Sequence, residues 1–316
     1  MARGVRIGDY QLEQELAVSP VSFLYRAQHS VLPRRALVKV SRETSTRVDV
    51  LREACLLAAL PHPGVVRVYE TGRMNDQRTW FAYEDVEGMT LADAFDGGPE
   101  SALGAIAAEV AVGMIRDVAE ILAYAHQRGV IHCAIAPERL VVARGRGFPI
   151  CVTDWSAARA HDAEAAPAAD LVAYTAPELA IGDVIDDRVD VWALGVIAYR
   201  AVTGRMPFDA AVTTPVTGLF VPAEVQCPGA PRELAVLIDS MLAFDRWDRP
   251  TAAEVRGQLG TLAAQLEGAP SEVVDAPIEL RIRKPRWTPQ IDLGTKLRAD
   301  TELESSLIVT DETDPS

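Results

Sequence analysis

Residues 130–142 read VIHCAIAPERLVV, with a histidine and a proline framed by apolar runs. Such a frame is where side-chain chemistry is expected, a histidine being the commonest general acid or base. Its centre, however, is Cys133, Ala134, Ile135 and Ala136. The alanines can neither move a proton nor hold a charge. The other residues able to do chemistry, four cysteines (Cys55, Cys133, Cys151, Cys227) and five histidines, show no CxxC and no metal-type spacing. Buried, reduced thiols are expected, and they fit a reducing cytosol.

Composition narrows the classes. The 316 residues are 49% hydrophobic and 24% charged, ordinary for a globular chain with a sizeable core. A formal net charge of -14 argues against nucleic-acid partners, which need phosphate-neutralising surfaces, and against anionic membranes. The opening MARGVRIGDY lacks an apolar signal core, and no apolar run reaches the roughly 18 residues of a membrane helix. A cytoplasmic protein is expected.

The elements that must position the frame follow from periodicity. QLEQELAV, SFLYRAQH and RALVKV are short alternating or apolar runs separated by turn residues, and read as strands. VDVLREACLLAAL, residues 48–60, has helical spacing and stops at Pro61 and Pro63. GVVRVYETG and TWFAYEDV add two strands. Beyond Gly88 the pattern turns to long helices: one with Ile106, Val110, Met114, Val118, Ile121, Leu122 and Ala125 on one face, and an almost wholly apolar, buried one over 188–203. PRELAVLIDSMLAF and TAAEVRGQLGTLAAQL give two more. Residues 267–316 read as an acidic, mostly disordered tail, within which IELRIRKPRW has the alternation of an extended strand.

In this order the pieces resemble a eukaryotic-like (Hanks-type) serine/threonine protein kinase domain of the bacterial sort over residues 7–266. ALVKV looks like the strand carrying the nucleotide lysine, Lys39, and LREACLLAALPHPGVVRVYE like the helix carrying its partner, Glu53. IHCAIAPERL stands where HRDLKPEN belongs, VTDWSAAR where DFG belongs, and YTAPEL where the APE segment belongs. DVWALGVIAYRAVTGRMPF and RWDRPTAAEV look like the late helices. The resemblance implies a bilobal α+β fold, a small antiparallel sheet lobe with one helix over about 7–84 and a mainly helical lobe over about 88–266.

Where the chain departs from the family, the resemblance implies lost chemistry. The aspartate that serves as base is Ala134, the phosphate-contacting lysine Ala136 and the metal-holding asparagine Arg139. A missing base costs on the order of 10²–10⁴ in rate, and the lysine and metal ligand supply electrostatic stabilisation besides. The glycine-rich loop has Ala17, Ser19 and Ser22 at its glycine positions with Pro20 between. Cys133 replaces the arginine that reads a phosphorylated activation loop, and Leu171 the threonine of the substrate-docking segment. Leu37 and Leu24 enlarge positions that normally pack on adenine, so ATP and Mg²⁺ binding is expected to be weak or absent, with no metal site. Lys39, Glu53 and Asp154 remain as nucleotide-site positions. Lys39 and Glu53 serve either phosphate or as an interior register, and Asp154 either holds metal or pairs with Arg139.

His132, Trp155, Asp190, and the pair Glu178 and Arg249 read as scaffold. A pseudokinase is therefore expected, a scaffold or allosteric regulator whose partner is a protein: a kinase, a phosphatase or a regulated complex. Candidate contacts are the groove between lobes, the helix around Glu53, the loop 158–174, and threonines 301, 310 and 313 of the tail. The alternative is a nucleotide-using enzyme, transferring AMP or keeping residual kinase activity through Lys39, Glu53 and Asp154.

Overall fold

The structure, a computed structural model, describes residues 4–43, 47–96, 107–160, 172–208 and 219–268. The sequence expectations for Leu171, most of the loop 158–174, the strand-like 278–287 and the tail threonines lie outside the described residues.

Strands β1 (Arg6–Ile7), β2 (Tyr10–Val18), β3 (Ser22–His29) and β4 (Arg35–Ser41) lead into helix α1 (Arg47–Ala58), followed by β5 (Val68–Arg73) and β6 (Thr79–Glu84). The six strands form one antiparallel sheet in the order β1-β2-β3-β4-β6-β5. Alternation sorts its side chains, since successive residues of a strand point to opposite faces. Ala36, Val38 and Val40 of β4 join Tyr10, Leu12, Tyr25 and Trp80 in a small core on one face. On the other face Lys39 stands opposite Leu24 and Phe81, and Leu37 opposite Tyr83. This second face meets α1 and the larger core, to which Phe81 and Tyr83 belong and against which Leu24 and Leu37 pack.

The rest is mainly helical. It runs β7 (Gly88–Thr90), α2 (Leu91–Asp96), α3 (Ala108–His126), β8 (Val130–Ile131), β9 (Leu140–Ala143), β10 (Ile150–Val152), β11 (Arg159–Ala160), α4 (Pro177–Ala180), α5 (Arg188–Thr203), α6 (Ala223–Gln226), α7 (Arg232–Met241) and α8 (Ala252–Gly268). Helix α5 is the axis of this lobe, buried almost all round as its composition requires. Gly195 lets α7 approach it: a Cβ there would stand 2.9 Å from the Met241 Cβ. The two-lobed α+β architecture agrees with the one expected.

One strand differs from expectation. GVVRVYETG pairs only from Val68, because its first residues are used elsewhere. Val65 bridges Val152 in parallel and the Gly64 carbonyl accepts from the Val152 amide at 2.8 Å, so the segment joins the two lobes instead of lengthening the sheet.

Candidate active site

Three elements bring the retained ionisable residues together. Lys39 leaves the core-facing side of β4, Glu53 points in from α1, and Asp154 follows β10. Lys39 Nζ lies 2.7 Å from Glu53 Oε2 and 3.6 Å from Asp154 Oδ1. Glu53 is 2% exposed, and burial raises its carboxyl above the ordinary range despite the opposing Lys39 charge.

Asp154 is the most heavily engaged group. Arg139, from the 3-10 turn Pro137–Arg139, places Nε 2.9 Å from Asp154 Oδ2 and donates from Nη1 to the Ala134 carbonyl at 2.8 Å. The Ser156 hydroxyl donates to Asp154 Oδ1 at 2.7 Å. Burial alone would raise this carboxyl, but Lys39, Arg139 and Ser156 together hold it well below the usual carboxylate range. Its φ of 54° lies in the left-handed region that side chains rarely adopt. Ser156 also offers its carbonyl to Arg52 Nη2 of α1 at 3.0 Å, a second link between α1 and this turn. Neither Ser156 nor Arg52 was singled out from the sequence; adjacency to Asp154 and Glu53 is the only signal each carries there.

The loop with the vacated positions is held rigidly. Asp190, buried in the first turn of α5, accepts from the amides of His132 and Cys133, both at 2.8 Å, and from His126 Nε2 at 2.9 Å. These bonds fix Cys133 at φ 62°, again left-handed for a residue with a Cβ. His132 donates from Nε2 to the Thr153 carbonyl at 3.1 Å and packs edge-on against Trp155, ring centroids 4.6 Å apart. Burial lowers its proton affinity, so it is a neutral core residue with no free face for a substrate proton. Ala134 and Ala136 are themselves buried, and line no acidic or basic replacement for the missing functions. The buried Cys133 thiol is likewise pushed upward, away from the thiolate form.

The turn where phosphates would be cradled is occupied with itself. Ser19 Oγ accepts from the amides of Val21 and Ser22 at 3.2 and 3.0 Å, and the Ser19 amide donates to the Ser22 carbonyl at 2.8 Å. With Pro20 offering no N–H, this turn aims few free donors at an anion.

A divalent ion does not fit the residues present. Asp154 already has a guanidinium on one oxygen and an ammonium and a hydroxyl on the other. Among the described residues no group of three His, Cys, Asp or Glu stands in metal-binding array. A dication entering here would meet Arg139 first. Farther off, Arg249 is fully buried and makes a two-pronged pair with Glu178 of α4 at 2.6 and 2.9 Å, joining α4 to the segment before α8.

A profile of the protein kinase domain matches residues 24–258. The chain is 32% identical over 271 residues to serine/threonine-protein kinase PknJ of Mycobacterium tuberculosis, a match covering 80% of this chain and 45% of that protein. It is 30% identical over 290 residues to serine/threonine-protein kinase PknB of Mycolicibacterium smegmatis, covering 84% and 45%. A third match, 29% over 215 residues, is to serine/threonine-protein kinase pkn2 of Myxococcus xanthus, covering 64% and 25%. The chain thus spans less than half the length of these curated relatives. Among the described residues, no helix is long and apolar enough to cross a membrane.

Proposed function

The chain belongs to the protein kinase domain family, and we propose that within it this member is a pseudokinase, a cytoplasmic regulator that acts by binding a protein partner and does not transfer phosphate. One observation carries the reading: the catalytic-type loop holds Ala134 and Ala136 where a base and a phosphate-contacting cation are required, and Arg139 bonds the carboxylate a metal would need. Without a positioned base and without charge neutralisation, the two largest contributions to phosphoryl transfer are missing. Leu24 and Leu37, packed on the larger core beside Lys39, support the same conclusion for the adenine. What remains is a well-determined surface, on which the interlobe groove and α1 are the places for a partner, a kinase, a phosphatase or a complex they regulate.

A second reading has one observation in its favour. Lys39, Glu53 and Asp154 are assembled at ion-pair distance, as an enzyme transferring AMP with a reversed nucleotide would need. The two are separated by incubating the protein with α- and γ-labelled ATP and Mg²⁺ or Mn²⁺, alongside thermal melts. The expected outcome is no label on protein and no shift; a nucleotide at 100 times its Kd would add about 2.7 kcal/mol, which a melt registers. Label retained from the α-phosphate favours AMP transfer. Label passed only from the γ-phosphate, and lost in Lys39→Ala, defeats the pseudokinase reading.

A further inference from the structure

Glu53, Lys39, Asp154 and Arg139 form a line of alternating charge that crosses from α1, through the sheet, to the loop of the helical lobe. Its steps are 2.7, 3.6 and 2.9 Å, and Arg139 ends it on the Ala134 carbonyl at 2.8 Å. Two cations and two anions leave the line neutral, so it asks for no outside counter-ion.

We infer that Arg139 is a tethered cation standing in for a bound metal ion, and that it holds α1 and the Asp154 turn in place with no ligand present. The geometry argues this in three steps. First, Asp154 sits in a left-handed conformation that needs external contacts to persist, and Arg139 is the cation on its Oδ2. Second, both links from α1 to this turn depend on where Asp154 lies. One is Glu53 through Lys39, and the other is Arg52 to the carbonyl of Ser156, two residues on. Third, Arg139 is short of mobility: its side chain is 13% exposed and also anchored on Ala134, so the charge is fixed rather than sampled. A position-fixing cation carried on the chain makes the arrangement independent of nucleotide and of metal concentration.

The inference concerns the same site and rests on the reading that no metal is held there. Label transfer tests that reading and hydrogen exchange tests this one, so each can fail alone. The experiment is amide hydrogen exchange of the full chain, followed in α1 and in residues 154–157, for the wild type, Arg139→Gln and Arg139→Lys. Gln keeps a donor without charge, and Lys keeps charge with a different shape. The expected result is exchange roughly tenfold faster in both segments for Arg139→Gln, the loss of one charged hydrogen bond. Arg139→Lys should stay near the wild type, and millimolar Mg²⁺ should leave the wild type unchanged. Unchanged exchange in Arg139→Gln overturns the inference, as does Lys behaving like Gln, which would make the role packing. Slowing of the wild type by Mg²⁺ also overturns it. Where Arg139→Gln does not fold, Asp154→Asn removes the charge from the other side of the same contact and is read in the same way.

Discussion

At the scale of single residues, the site pairs two carboxylates with opposite responses to protons. Glu53, buried, binds its proton more tightly in the folded chain than an ordinary glutamate does. Its contribution to stability is therefore complete below the unfolded value, about pH 4.3, and declines as pH rises through the raised folded one. Asp154, held down by its cations, contributes in the other sense: its stabilisation is present above the unfolded value and is lost only in strong acid. Between pH 5 and 7.5 (roughly, from these reference values) Glu53 alone of the pair should respond. Lys39→Met leaves Glu53 buried with no ammonium and should cost about 3–5 kcal/mol at neutral pH. That deficit should shrink as the buffer is taken toward pH 5 and Glu53 takes up its proton, while Asp154 stays charged against Arg139. Denaturant midpoints of both proteins at the two pH values check this; a deficit that is constant with pH would mean that Glu53 does not feel the loss. The sequence made part of this legible. Lys39, Glu53 and Arg139 announced themselves through motif order, and the nearness of Arg139 to Asp154 followed from the resemblance. The Ser156 and Arg52 bonds did not, because each depends on a backbone turn set by contacts distant in sequence.

At the scale of elements, the chain spends its buried charge on junctions. Arg249 donates to Glu178, and also to the carbonyls of Ala243 and Phe244 at 2.7 and 3.0 Å, so one side chain ties α4, the end of α7 and the start of α8. Arg249→Met should cost about 3–5 kcal/mol, since a buried carboxylate and several carbonyls lose their donor together. Glu178→Gln, which keeps an acceptor in place, should cost less; equal losses in the two variants would contradict the assignment of most of the penalty to the stranded carboxylate. Urea denaturation followed by circular dichroism reads both. Helices and strands were legible here because burial imposes a period of 3.6 or 2 on apolar residues. The start of β5 was not: residues 64–67 have a strand-like pattern, yet Val65 is claimed by Val152 across the lobes, a tertiary choice that local pattern does not encode. The left-handed turns at Cys133 and Asp154 were equally hidden, since neither carries the glycine that usually marks one.

At the scale of the whole molecule, the larger core runs without a break from α1 and the inner face of the sheet to α8. The two lobes are thus joined by packed side chains, by the charged line through Arg139, and by the Gly64–Val152 backbone bond. Trp155 sits at the centre of this junction, fully buried, its indole N–H donating to the Val152 carbonyl at 3.1 Å and its ring against His132. That position makes it a built-in optical probe. The chain has other tryptophans, but Trp247 is 65% exposed and already emits as if in water, whereas Trp155 cannot meet solvent until the junction opens. Selective excitation of Trp155→Phe and wild-type protein, subtracted, should give a blue emission component that moves to the red only when the lobes part. A partner that grips the closed form would delay that colour change on heating, and one that pries the groove apart would bring it on at room temperature.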